Sequence, residues 1–290
     1  MLYFSLPNFF EFKDVNLFMQ GLARTRPEMF KEKIVFNSSN GAIPYLSWTG
    51  GCNSNVGFGI IYGSLLEFQS QFPMPVRINM ANVLLEDYDF FDSLGQSVLS
   101  IFDNGSNVLE ISSIPFMEKI KEKYPNYYFT LSKQADLISE FTPEVLNAII
   151  DLDQFTLIGV PEKYNDNLEW LSSIKKRSLL EITINPICNY KKCSCGDVCL
   201  LKEHENQINY SNVQIRTNCS NKMAYYDLRN VPSIEELKRK YGKLGINHFT
   251  FSNNYGGITQ ESLLMFYFDY FLKPECVFEA LNVWRSKSYA

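Results

Sequence analysis

Five cysteines lie close together in the second half of the sequence. They follow the spacing C-x4-C-x-C-x3-C with one more cysteine downstream, and the set is Cys188, Cys193, Cys195, Cys199 and Cys219. Thiolates are soft ligands for Zn and for iron–sulfur clusters, and four that converge suit either. We therefore expect four of the five to bind one metal centre, an iron–sulfur cluster or Zn. The spacing matches neither zinc ribbons nor ferredoxins, so it does not select the metal.

Two other interpretations of these cysteines exist. Free cysteines pack as small hydrophobic residues, but here the flanking residues are Lys, Asp, Asn and Gly rather than apolar ones. A closed structural Zn clip without catalysis fits the spacing as well as a functional cluster does. The chain has seven cysteines, and their clustering is typical of metal binding in a reducing compartment, so we expect a cytoplasmic protein.

A second group of candidates consists of polar and aromatic residues at the ends of predicted strands. We expect a small polar pocket that binds substrate through Trp48, Arg77, Asn79 and Asn185. Arg77 stands out because a charged residue in an apolar strand must face a polar cavity or a partner. We therefore predict that it meets an acidic side chain, an anion or a ligand. Catalytic residues stay unknown, since His204 and His248 are the only two histidines.

The elements that must position these residues are predicted from hydrophobic patterns. Eight runs rich in β-branched and aromatic residues indicate strands. They are Ala42–Trp48, Pro75–Met80, Asn107–Ser113, Tyr127–Lys133, Gln154–Gly159, Ser178–Ile184, Met223–Leu228 and His248–Asn253. Helical patterns lie between them, which favours a parallel sheet. Eight such units predict an α/β fold of the (β/α)8 TIM-barrel type, whereas an open doubly wound sheet would need a glycine-rich phosphate turn that Thr49-Gly50-Gly51 does not provide.

We expect residues 1–290 to form a single barrel domain. Residues 1–40 are predicted as an N-terminal helical extension and residues 260–290 as a C-terminal pair of helices. The cysteine-rich loop, about residues 185–222, follows the sixth predicted strand. It should therefore lie at the carboxyl end of the barrel, where active sites of this fold are found.

The charge and composition of the chain limit the kinds of partner that it can bind. The formal net charge of -5 argues against a nucleic-acid surface, which needs clustered Lys and Arg. No run of about 18 apolar residues predicts a membrane span, and no secretory signal or nucleotide-binding motif is visible. A small-molecule or peptide ligand and a protein partner remain compatible with the sequence.

Short motifs resemble a known group of barrels. The stretch from Ile184 to Cys188, with the later cysteines, resembles the cysteine segment of collagenase-like peptidase and radical-SAM-like barrels. Glu235–Leu237 and Leu244–Phe249 resemble the last helix and strand of the same group. The likeness spans roughly residues 40–270. It implies a (β/α) barrel and, in several members, an iron–sulfur cluster held by four cysteines.

The chain also departs from that group. The N-terminal C-x3-C-x2-C motif of radical-SAM enzymes is absent and Cys52 stands alone, which argues against radical chemistry. Ser252-Asn253-Asn254 stands where members often have an arginine, which weakens the case for an anionic-substrate site. Two hypotheses follow. One is a metalloenzyme-like barrel acting on a small polar or peptide-like substrate, and the alternative is a non-catalytic binding or accessory protein with a structural Zn clip.

Overall fold

Eight parallel strands close into a barrel in chain order. The computed structural model describes residues 1–9, 11–43, 46–50, 62–72, 74–185, 231–252 and 258–287. The strands are β1 (Leu2–Leu6), β2 (Ile34–Gly41), β3 (Val76–Met80), β4 (Val108–Ile111), β5 (Tyr128–Leu131), β6 (Leu157–Gly159), β7 (Leu180–Thr183) and β8 (His248–Thr250). Each strand pairs in parallel with the next, and β8 pairs with β1 to close the ring. The predicted (β/α)8 TIM-barrel fold is confirmed.

Helices alternate with the strands and cover the outside of the barrel. They are α1 (Lys13–Thr25), α2 (Tyr62–Gln71), α3 (Ser93–Phe102), α4 (Ile114–Lys123), α5 (Pro143–Asp151), α6 (Leu168–Ser172), α7 (Ile234–Tyr241), α8 (Gln260–Phe271) and α9 (Val277–Lys287). Many begin at a side chain that accepts a hydrogen bond from the first turn, such as Thr142 at α5 and Ser233 at α7. The predicted C-terminal helix pair is confirmed as α8 and α9. In the part of the chain that the structure describes, no helix could cross a membrane.

Most strands alternate between an apolar outer face and an inner face that carries polar side chains. Along β3, Val76, Ile78 and Met80 are buried apolar residues, and Arg77 and Asn79 lie between them. Successive strand residues point to opposite faces, so the apolar set packs against the helices. The interiors of such barrels are usually filled by bulky branched apolar residues. Here much of the inside is built from hydroxyl, amide and charged side chains, beside a few apolar ones such as Val108 and Leu157.

Most of the predicted strands are confirmed, but the N-terminal assignment was wrong. Residues 1–40 are not a helical extension, because they contain β1, α1 and nearly all of β2. The strand predicted at Ala42–Trp48 is also wrong, since β2 ends at Gly41. Among the described residues of that run, the Leu46 amide donates to the Ile43 carbonyl and the Thr49 amide to the Leu46 carbonyl, which are contacts of turns rather than of a strand. The strand predicted at Met223–Leu228 lies outside the described residues.

The missed strand β2 has a sequence that hides its alternation. Its second half is polar because its inner positions face the polar interior. The register with β1 also shifts between Phe4 and Ser5, so that Asn37 is an extra residue in β2 and the inside–outside parity changes. Because β1 and β2 were missed and one false strand was predicted, the strand numbers shift by one. The cysteine-rich segment therefore follows the seventh strand of the barrel, not the sixth as predicted.

The packing of Trp48 on α3 can be tested with a pair of glycine substitutions. A methyl group on Gly95 would lie 2.3 Å from the Trp48 ring, whereas one on Gly21 in α1 would meet nothing within 4 Å. We expect Gly95→Ala to lower the free energy of unfolding by about 1–3 kcal/mol because the ring must shift. Gly21→Ala should raise it by about 0.4–1 kcal/mol. Chemical denaturation measures both. Equal stabilisation by the two substitutions would contradict this packing.

Candidate functional site

An ion pair crosses the middle of the barrel. Arg77 in β3 and Glu181 in β7 belong to strands that are not neighbours, so their contact spans the interior. Arg77 Nη2 donates to Glu181 Oε1 at 2.7 Å, and Nη1 donates to Oε2. The two side chains are only 2% and 3% exposed. Such a two-point contact between guanidinium and carboxylate is among the strong hydrogen-bonding arrangements in proteins. The predicted acidic partner of Arg77 is therefore Glu181.

Hydroxyl groups complete this pair. Ser5 Oγ accepts a hydrogen bond from Arg77 and donates to Glu181 Oε1 at 3.1 Å. Ser38 Oγ lies 3.0 Å from Ser5 Oγ and 3.4 Å from Arg77 Nη2. Burial alone would raise the pKa of Glu181, but the charge and hydrogen bonds of Arg77 outweigh it and lower that pKa below its usual value. Both groups are thus charged at neutral pH.

His248 lies beside the pair, towards the amino-terminal end of the barrel. Its ring stacks on Tyr3 with centroids 4.6 Å apart. Burial lowers the pKa of His248, and the attraction of Glu181 only partly opposes this effect. The imidazole is therefore mostly neutral at pH 7.

A cavity of about 70 Å³ lies next to the ion pair, towards the carboxyl ends of the strands. Its walls are mainly polar side chains that project inward from several strands or follow them. The polar residues that line it are Asn40, Arg77, Asn79, Glu110, Thr130, Lys133, Gln134, Glu181, Thr183, Thr250 and Ser252. Active sites of this fold lie at this end of the barrel. The cavity is therefore the candidate functional site.

Two further charged groups reach the cavity from the β4 and β5 region. Ser132, just after β5, caps a short 3₁₀ turn by accepting from the Gln134 amide, and its hydroxyl donates to Glu110 Oε1 at 2.8 Å. Lys133 follows directly, where its Nζ donates to Thr183 Oγ1 at 3.0 Å and forms an ion pair with Glu162. The mouth thus presents an ammonium group and a carboxylate to a ligand. This arrangement can bind a small polar molecule by ion pairs and hydrogen bonds.

Two of the predicted substrate-binding residues, Asn79 and Asn185, hydrogen-bond the backbone of segments that form the walls of the site. Asn79 lines the cavity, but its side-chain amide is bonded to the backbone: Oδ1 accepts from the Gly50 and Ala81 amides and Nδ2 donates to the Gly50 carbonyl, all at 3.0 Å. Asn185 Oδ1 accepts from the Ser252 amide at 2.6 Å, which joins the ends of β7 and β8. Their substrate contacts stay a prediction.

Trp48 lies elsewhere, which corrects its predicted place in the pocket. It is fully buried, its indole N–H donates to the Asp89 carbonyl at 2.8 Å, and its ring packs edge-on against Phe116. The prediction rested on a strand that is not present. Trp48 therefore packs against the helical segments that contain Asp89 and Phe116 and does not line the cavity.

The predicted metal ligands lie outside the described residues. Cys188, Cys193, Cys195, Cys199 and Cys219, as well as His204 and Cys52, fall in residues 51–61 and 186–230. Among the residues that the structure does describe, no cluster of His, Cys, Asp or Glu could hold a metal ion. The cysteine-ligated centre therefore stays a prediction.

Several charged residues of the site were missed from the sequence. Glu181 lies in the run Leu180-Glu181-Ile182, and Glu110 lies in the equally apolar β4. The criterion that singled out Arg77, a charge within an apolar strand, would have found both. Lys133 and Glu162 carry no such signal, since each follows a strand in a polar stretch.

The ion pair generates a prediction for stability. Glu181→Gln leaves the buried Arg77 charge without a counter-charge, so we expect the free energy of unfolding to fall by about 3–5 kcal/mol. Arg77→Met should be similarly harmful. The double variant Arg77→Met/Glu181→Gln should lose less than either single variant because no buried charge remains unpaired. Chemical denaturation of the four proteins measures the coupling. Additive losses would contradict it.

Comparison with known proteins supports the architecture. No protein-family model and no curated protein sequence matches this chain. Its fold is similar to the solved structure of the U32 peptidase Mk0906, with a TM-score of 0.51 at 12% sequence identity; the match covers 88% of this chain and 93% of that chain. At this identity the likeness concerns the fold alone. It agrees with the collagenase-like barrel fold that the short motifs implied, while the relation to radical-SAM barrels stays a prediction.

Proposed function

We propose that the chain is a barrel enzyme that acts on a small polar or peptide-like substrate at its carboxyl-terminal mouth. The observation that carries the proposal is the polar cavity lined by Glu110 and Lys133 above the Arg77–Glu181 pair. A barrel without a ligand gains nothing from charged groups inside, because their desolvation opposes folding. Charges kept at the mouth, where active sites of this fold lie, support a role in binding and reaction.

The substrate class is supported by chemistry and by the structural comparison. A peptide carries amide, amino and carboxylate groups, which are the partners that a wall of hydroxyls, amides, an ammonium and a carboxylate can bind. The similar fold also belongs to a protein described as a peptidase. Hydrolysis of a peptide-like bond is therefore the reaction that we propose.

We also propose that four of the five cysteines hold one metal centre at the same end of the barrel. The support is the cysteine spacing and the fact that the segment containing them starts after Asn185, whose side chain bonds the end of β8 at the mouth. The donor set fits Zn or an iron–sulfur cluster, and either would act there as an electrophile or a structural staple. Because the metal would bind only to the folded chain, it would add to the stability of the folded state.

The role of Lys133 is tested by substitution. Peptide mixtures incubated with the protein are analysed by mass spectrometry, and cleavage of the best substrate is then followed with time. Lys133→Met removes the ammonium group that faces the cavity, so we expect kcat/KM to fall at least about tenfold. Lys121→Met, on the exposed face of α4, is the matched control and should leave cleavage unchanged. Ligand binding without any turnover would favour the non-catalytic binding protein instead.

The metal centre is tested by elemental analysis and a visible spectrum after anaerobic purification. We expect Fe or Zn at one centre per chain, brown and bleached by air for an iron–sulfur cluster, colourless for Zn. Cys188→Ser or Cys219→Ser should lower both metal content and melting temperature if the residue is a ligand, because the site stabilises only the folded state. Cys276→Ser, far along the chain at the start of α9, is the control. Anaerobic protein without either metal would contradict this proposal.

A further inference from the structure

The charges around the cavity do not balance. Arg77 is paired with Glu181, and Lys133 with Glu162. Glu110 is the fifth charged group, and within the described part of the chain its only hydrogen-bond donor is the neutral Ser132 hydroxyl. Among the described residues, these are two positive and three negative charges when Glu162, which pairs with Lys133 outside the cavity lining, is counted. Glu110 is the one that forms no ion pair, although its charge also acts on Arg77. A ligand that is drawn to this cavity by charge must be a cation.

Asn40 adds an unused hydrogen-bond acceptor. Its Nδ2 donates to Thr250 Oγ1 at 2.7 Å, and the Thr250 hydroxyl donates in turn to the Phe251 carbonyl. Thr250 can thus only accept from Asn40, which fixes the amide orientation and leaves Oδ1 as the free acceptor. Asn40 is 4% exposed, and among the described residues its Oδ1 has no partner.

Two more buried oxygen atoms, in residues that also line the cavity, have no partner among the described residues. Thr130 is 1% exposed and its hydroxyl makes no hydrogen bond within the described ranges. The buried side-chain oxygen of Gln134 likewise lacks a donor there. A buried polar atom left without a partner costs free energy, so several of them on one wall indicate a ligand that supplies donors.

We propose that this cavity binds a primary ammonium group, with Glu110 as its counter-charge and the oxygens of Asn40, Thr130 and Gln134 as further acceptors. An ammonium ion carries three N–H donors and no acceptor, which matches a wall of acceptors that bears one net negative charge. That the ammonium is the free amino terminus of a peptide substrate rests on the function proposed above. The protein would then select peptides by their unblocked amino end.

A hard metal cation matches the wall less well. Mg²⁺ and Ca²⁺ are bound through six or more oxygen atoms, commonly with several carboxylates. Among the described lining residues, one carboxylate, Glu110, forms no ion pair, and the acceptors without a partner are neutral. The donor set therefore favours an organic cation.

The probe is alanine amide, compared with its N-acetylated form, in calorimetric titrations of the full chain at pH 6.5. At this pH an α-amino group is almost fully protonated, whereas the acetylated compound is neutral. We expect alanine amide to bind and the acetylated form to bind at least about tenfold more weakly. Equal binding of the two compounds overturns the proposal, and so does displacement of alanine amide by equimolar Mg²⁺ or Ca²⁺.

Two variants connect the binding to these residues. Glu110→Gln keeps the acceptor for Ser132 but removes the charge, so alanine amide should bind at least about tenfold more weakly. Glu118→Gln, exposed on α4, is the matched control and should bind as the unaltered protein does. Thr130→Val removes a buried unpaired hydroxyl at nearly constant shape, so it should weaken binding severalfold while the melting temperature stays the same or rises. Unchanged binding in both cavity variants overturns the proposal.

Cleavage assays separate this inference from the proposed function. If N-acetylated and free peptides are cleaved equally well, the enzyme function stands and the ammonium site is wrong. If alanine amide binds through Glu110 but no peptide is cleaved, the ammonium site stands and the proposed reaction is wrong.

Discussion

Two opposite charges buried in the centre of a β-barrel constrain everything around them. Once Arg77 and Glu181 are buried away from water, each needs the other as a counter-charge. Hydroxyl groups must then satisfy the hydrogen-bonding capacity that remains. Ser5 from β1 and Ser38 from β2 supply them. Many neighbouring inner positions are polar as well, although Val108 and Leu157 also face the interior, and most of the apolar strand residues face the helices. The stability of the fold therefore comes from the layer between strands and helices, and the interior is left free for chemistry.

The same polar interior explains where sequence reasoning succeeded. Strands such as β5 and β8 carry enough β-branched and aromatic residues to be recognised despite their polar inner positions. Strand β2 was missed because its polar inner residues coincide with the extra residue Asn37, which breaks the period of two. An apolar turn ending at Trp48 was taken in its place. The count of eight was correct because the two missed strands, β1 and β2, were balanced by the false strand at Ala42–Trp48 and by the strand predicted at Met223–Leu228, outside the described residues.

For the candidate site, the sequence predicted its location in the barrel better than it predicted which residues form it. A charge within an apolar run was enough to select Arg77, because burial of a charge has few physical solutions. Asn79 lines the cavity, but its side chain is bonded to the Gly50 backbone, which only coordinates reveal. Lys133 and Glu162 were beyond reach, since their contact depends on the turn that follows β5 and on the loop after β6, which bring together residues 29 apart.

The pairing of β1 with β8, which closes the barrel, has a consequence for how the chain folds while it is being synthesised. Tyr3 pairs with His248, so the first strand gains its second neighbour only after nearly the whole barrel has been synthesised. Until then β1 and the most recent strand are both unpaired edges, and such edges are templates for association with other chains. The inner face cannot be sealed either, so Arg77 remains in contact with water until Glu181 emerges from the ribosome. Slow, long-range closure of this kind makes the nascent chain a natural client for chaperones.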